Sequence, residues 1–320
     1  MTKSRAYGSD AQLLAVVETT YGTLPGSGYT KLPFSQSSVG AERPLGYEAL
    51  LGQGRDAADP FYEAITVAGD VEVPVDLRNL GFWLKGLFGA PATTDNGGGA
   101  YTHLFTSGGD LPSLAFELGH TKLTTAKYFR HAGAKLGSLA VAFARSGAAK
   151  ATIGVIAQGE TESGSTIDAS PDTLALRRFM QGNGTIKVGG VALANVTGGR
   201  ISFSNGLAPV ETIRDDGKID GVDETEATAE GSVDLRFSTD TTLSSAIAAE
   251  TPVALEYSYT IPSTSHHLKF ILPRVFLPKK KNEVRGPGAV QVTYDWRAAK
   301  DDVAGYLLQV SLKNDVASYA

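Results

Sequence analysis

The sequence has no cysteine among its 320 residues. Disulfides, thiolate catalysis and cysteine-based zinc or iron–sulfur centres are therefore excluded together. No apolar run approaches the roughly 18–20 residues that a membrane-spanning helix needs. Near the N-terminus Lys3 and Arg5 precede the apolar patch "LLAVV", Leu13 to Val17, but the patch closes on Glu18 and is too short for the apolar region of a signal peptide. The reading is a chain made and used in a cytoplasm. Positive charge is not in excess: 29 Lys and Arg stand against 34 Asp and Glu, a net charge of −5. Sequence-reading DNA binding usually needs the opposite balance and is disfavoured.

Glycine, in contrast, is abundant: 37 Gly and 14 Pro imply many turns and short strands, so the expected class is mainly β with short helices. A hydrophobic share of 42% against 20% charged is enough to bury a core. In "GDVEVPVDLRN", from Gly69 to Asn79, Val71, Val73 and Val75 alternate with polar residues as in a half-buried strand. Pro74 lacks a donor N–H and marks an edge or a bulge. Asn79 is a cap candidate for the helix "LGFWLKGLFG", where Leu80, Trp83, Leu84 and Leu87 share a face and Gly89 closes the element. A Gly-rich turn and the strand "SLAFEL" follow.

The same order then recurs. "GSVDLRFSTD" starts at Gly231, 162 residues after Gly69 (231 − 69). Ser238, Thr239 or Asp240 is placed to cap the helix "TTLSSAIAAE", with Leu243, Ala246 and Ile247 on its apolar face, and "VALEYSY" repeats the next strand. Further on, "GSLAVAFARSGAA" at Gly137 matches "GAVQVTYDWRAAK" at Gly288, 151 residues apart (288 − 137), which sets Phe143 against Tyr294. "ATIGVIA" and "YLLQVSL" follow as final strands. An internal duplication is therefore expected, against the rival of one large irregular β domain. The expected organisation is an N-terminal arm over 1–30, a first β domain over 31–157 with a long loop over 40–59, a polar linker over 158–182 and a second β domain over 183–320.

The sequence assigns no catalytic, cofactor-binding or metal-ligating residue. His103, His120, His131, His266 and His267 show no helical metal spacing and read as surface or loop residues. "GQGRDA" from Gly52 has no apolar strand leading into it, and Pro60 interrupts any following helix, against a dinucleotide loop. In "RDDGKIDGVDETE", Arg214 to Glu226, Lys218 and Ile219 break the alternation a calcium loop requires, so a solvated acidic loop is expected. The run Lys279, Lys280 and Lys281 reads as a solvated turn, with an acidic neighbouring subunit as the alternative.

The segment "GRDAADPFYEAITVAGDVEVPVDLRNLGFWLKGLFG" resembles the signature region of tail tube proteins of long-tailed bacteriophages. "ETTYGTLP" near the start and "LLQVSLKND" near the end are similar to that family's first and last segments. The resemblance implies two tandem tail-tube-like β-barrel or sandwich domains, each with a flanking helix. It further implies subunits joined edge to edge into stacked rings, with other tail proteins as partners and DNA crossing the lumen without specific binding. No membrane partner and no cofactor are implied; the location is the virion tail, assembled in the host bacterial cytoplasm. Two tube units per chain favour a homotrimeric, pseudo-hexameric ring; one unit would require a homohexamer. The loop over 40–59 is expected to contact an adjacent ring. The reading from another class is a β-sandwich binding module, a virion decoration protein or carbohydrate-binding adhesin.

Overall fold

Alternation of apolar and polar residues dominates the chain, and strands dominate the structure, a computed structural model that describes residues 3–52, 54–238, 241–281 and 286–319. The first half comprises β1 Ala11–Val17, β2 Thr30–Leu32, β3 Gln36–Ser37, β4 Gly40–Glu42, β5 Leu45–Gly46, β6 Phe61–Tyr62, β7 Thr66–Pro74, helix α1 Leu80–Phe88, β8 Ala92–Asp95, β9 Tyr101–Thr106, β10 Leu114–His120, β11 Lys127–Phe143, β12 Lys150–Ala157, β13 Gly159–Ser163 and β14 Asp172–Thr173. The second comprises β15 Gly184–Val188, β16 Val191–Ala192, β17 Val196–Ser204, β18 Leu207–Val210, β19 Gly221–Glu224, β20 Thr228–Arg236, helix α2 Thr242–Ala248, β21 Val253–Thr260, β22 His267–Phe276, β23 Gln291–Ala298 and β24 Gln309–Asn314. The chain is mainly β with two short α-helices, as expected, but the described strands form open sheets and no closed barrel.

Strand pairing repeats between the halves residue for residue. Ser37 lies opposite Val71, and Gly199 lies opposite Val233, each 162 residues on (199 − 37 and 233 − 71). Glu42 opposite Thr66 becomes Ser204 opposite Thr228 at the same spacing. The hairpin pair Leu45–Tyr62 becomes Leu207–Glu224. The β10–β11 hairpin has a register shift between Leu114 and Phe116, and β21–β22 has the same shift between Val253 and Leu255. In the first half Val71 faces Ile153 of β12, and in the second Val233 faces Tyr294 of β23. Tyr294 therefore occupies the place of Ile153, 141 residues earlier (294 − 153), not that of Phe143. The expected match of Phe143 with Tyr294 is corrected, because alternation alone makes neighbouring strands look alike.

Other expectations shift for similar reasons. Within the expected N-terminal arm, β1 is inserted between β10 and β2, with Leu13, Leu14 and Ala15 buried. Within the expected linker, β13 pairs with β11, and Phe179 is fully buried. That stretch looked like a linker because β13 is held by backbone bonds and contributes few apolar side chains. The loop over 40–59 is also partly ordered: Gly40–Glu42 is an edge strand on β7, and β5 pairs with β6 as the foot of a hairpin arm. Pro74 ends β7, beyond its pairing with β3.

Helix α1 is capped from one turn further back than expected. Asn79 makes no side-chain cap bond. Instead the buried Asp76 carboxylate accepts the N–H groups of Arg78, Asn79 and Leu80 at 3.0–3.2 Å, plus the Asn79 side-chain amide at 2.8 Å. Burial pushes the Asp76 carboxyl above its ordinary value, and these donors oppose that push. For α2, Thr239 and Asp240 lie outside the described residues; the residue preceding the helix is Thr241, and Leu243 is the buried contact.

On its inner face α1 buries Trp83, stacked on Phe116 with ring centroids 5.7 Å apart. Gly86 allows the close approach: a Cβ there would lie 2.6 Å from a Leu136 methyl. One continuous core runs from these residues into the second half. The C-terminal segment straps the halves together. Arg78 donates two bonds to Asp315 (2.8 and 2.6 Å), the Tyr319 hydroxyl donates to Arg78 O, and the Asn314 amide donates to Leu77 O.

Trp83→Ala is expected to cost about 3–5 kcal/mol in denaturant unfolding. Trp83→Phe should cost less, since the buried indole N–H has no protein partner. The Arg78 bonds hold the Asp315 carboxyl below its ordinary value. The pair therefore stabilises the fold above the ordinary carboxylate range, and the gain is lost as pH falls through the lower folded value. Asp315→Asn should cost about 1 kcal/mol at neutral pH, a charged bond discounted for partial exposure. The gap from the unsubstituted chain should narrow as pH falls through that lowered value, as measured by urea unfolding at neutral and at acidic pH.

Candidate assembly interface

The two halves meet through the backbone. Strand β11 is 17 residues long and changes neighbours along its length. Its first part lies between β10 and β13, and its second part lies between β12 and β17. At this joint Ser138 to Phe143 run antiparallel to Ser204 to Gly199. The resulting sheet order, β4–β7–β12–β11–β17–β20–β23–β22, is one four-strand set followed by an equivalent set.

Side chains at the foot of the second arm, β18–β19, lock the joint. Buried Asn205 donates to Leu87 O and Leu136 O, both at 3.0 Å, and its own N–H bonds Gly137 O. Glu224 accepts from Lys135 Nζ at 2.7 Å and from Leu111 N at 3.2 Å. Further out, Ile65 N donates to Gly217 O, the Gln158 amide donates to Asp220 O, and the Lys218 stem lies over Gly159. Ile219 and Val222 of this arm are buried. The second arm is thus seated on the first half of its own chain.

Among the described residues the first arm, β5–β6, has no such seat. Leu45, Tyr47, Leu50, Leu51, Phe61 and Tyr62 are all exposed, Leu51 at 99%. Behind it, the outward N–H of Ala41 on edge strand β4 is covered by the Glu160 carboxylate at 3.2 Å, and Glu160 is held by His131 Nε2 at 2.8 Å. This is a guarded edge. At the far end of the sheet, β22 pairs with β23 only through Val275 and Phe276, and the Phe276 ring is exposed.

Not all histidines lie at the surface, which corrects the expectation for two of them. His103 and His131 are buried. His103 Nδ1 accepts from the Thr93 hydroxyl at 2.8 Å, and its Nε2 donates to Val316 O at 2.9 Å. Burial lowers the affinity of both rings for a second proton. In the acidic loop, Arg214 binds both Asp216 and Asp220, and the Arg214 bond holds the Asp216 carboxyl down to about 2. Among the described residues no group of three or more His, Asp or Glu is placed to hold a metal ion. Gln53 of the "GQGRDA" stretch lies outside the described residues, as do positions 282–285 after the lysine run.

Sequence reasoning missed Asn205, Glu224 and Glu160, whose roles come from partners 29 to 119 residues away. The signal was present in the 162-residue spacing, which aligns Leu45 with Leu207, but the residues around that pair differ in type.

A sheet that continues from one four-strand set to the next, with a guarded edge at one end, defines a β protein made of two repeated strand sets. The sequence model of the phage tail tube proteins matches residues 8–298, and the chain belongs to that family. No curated protein matches the sequence. Membership makes the chain a structural component of the phage tail.

Asn205→Ala would remove a side-chain donor from two buried carbonyls. It is expected to cost about 2–3 kcal/mol and to raise hydrogen exchange across 207–224 above the rest of the sheet.

Proposed function

We propose that this chain forms stacked rings of a phage tail tube that conducts DNA during ejection. The observation that carries the reading is the repeated four-strand set, β4–β7–β12–β11 followed by β17–β20–β23–β22, within a tail tube family member. An open sheet that repeats by a constant rotation closes into a ring. Each chain supplies two tube units, spanning about β1 to β13 and β15 to β24, so three copies complete a pseudo-hexamer. The net charge of −5 suits a channel that DNA must cross without adhering, since fixed phosphates are repelled.

Electron microscopy of the purified protein tests this. Rings and tubes with three copies per ring are expected. Six copies per ring would overturn the two-unit reading. A protein monomeric at every concentration would overturn the tube reading in favour of a binding module.

A further inference from the structure

The joint inside the chain has two halves, and each exists a second time with no strand beside it. Strand β4 is the earlier equivalent of the end of β17, Glu42 standing for Ser204. Phe276 is the later equivalent of Lys135, because Lys135 opposite Ile156 becomes Phe276 opposite Arg297. Among the described residues no strand pairs with β4 on the side away from β7, and none pairs with 277–281.

The seat of the second arm also has an equivalent. Lys135, Ile65, Gln158 and Gly159 hold that arm. Their counterparts at the same spacings are Phe276, Ala227, Ala299 and Lys300. These four line one open cleft of about 660 Å³. The cleft is filled by the second arm in the first half and, among the described residues, is empty of chain in the second.

We propose that the joint between copies repeats the joint inside the chain. The edge strand β4 and the first arm of one copy dock along Phe276 to Lys281 and into the cleft of the next copy. The proposal rests on the ring reading and names its contact surface. The first arm then lies along its neighbour in the same ring, not toward an adjacent ring.

Carrying the inner register across gives complementary pairs. Ser138 opposite Ser204 becomes Lys279 opposite Glu42, a favourable cross-strand charge pair. The Glu224–Lys135 ion pair becomes Tyr62 against Phe276, two aromatic rings exposed in the single chain. Lys218 over Gly159 becomes Asp56 beside Lys300, again opposite charges. Leu207 beside Gly137 becomes Leu45 beside Pro278, which covers an exposed leucine. The Ala41 N–H now held by Glu160 faces the incoming strand, so the guard is displaced when the copies join.

The absence of cysteine makes the test clean. Glu42→Cys combined with Lys279→Cys introduces two thiols that the register places across one antiparallel pair, where Cα atoms lie about 4.5–5.5 Å apart, within disulfide range. Mild oxidation is expected to give head-to-tail linked oligomers up to ring size on non-reducing gels. Glu42→Cys with Val191→Cys, an exposed site on another hairpin, should not. In the cysteine-free chain, Tyr62→Glu or Phe276→Lys alone should abolish rings, and the two together should restore them by rebuilding the Glu224–Lys135 pair. Circular dichroism verifies that each variant is folded. Rings that form without the link and ignore the single substitutions overturn the joint and leave the ring reading standing. Failure of the unsubstituted chain to form oligomers overturns the ring reading, and the joint with it.

Discussion

Backbone donors and acceptors along the edge of a sheet must be met by water, by a guarding side chain or by another strand. In this chain the second part of β11 is met on both sides, by β12 and by β17, and the rest of the architecture follows from that pairing. It fixes the second four-strand set in register with the first. It places Asn205 where its amide satisfies a carbonyl of α1 and one of β11 at once. It also brings the second arm over Lys135, so that an ion pair and several backbone bonds reinforce the same contact.

Long-range closure makes the two halves one body. The core cluster is continuous, β9 of the first half pairs with β24 of the second, and Arg78 reaches Asp315 across most of the chain. Relative motion of the halves would break sheet bonds and open packed core together.

Its titratable groups serve geometry. His131 positions Glu160 over an edge N–H, His103 joins the β8 hairpin to the chain end, and Asp76 caps α1. Each is held by partners on neighbouring strands or turns, so that its hydrogen bonds fix one element against another.

Local chemistry was legible in the sequence. The alternation of Val71, Val73 and Val75, the apolar stripe of α1 with Trp83, and the matching order of Gly69 and Gly231 all express themselves within a few residues, through side-chain periodicity and burial. "SLAFEL" and "VALEYSY" were matched in order as the sheet has them, and their shared register shift sets Leu114 with Val253 and Phe116 with Leu255. The later strands were not, because β12 and β11 alternate equally well and only their neighbours distinguish them. The polar stretch over 158–182 concealed β13 and Phe179 for a related reason: backbone pairing leaves no mark on composition. The sequence by itself determined a cysteine-free, mainly β chain with a repeated strand–helix–strand order and a family resemblance. The tertiary structure alone decided which edges are paired and which are open, because edge pairing joins backbone groups far apart in the chain, and those groups are the same in every residue except proline.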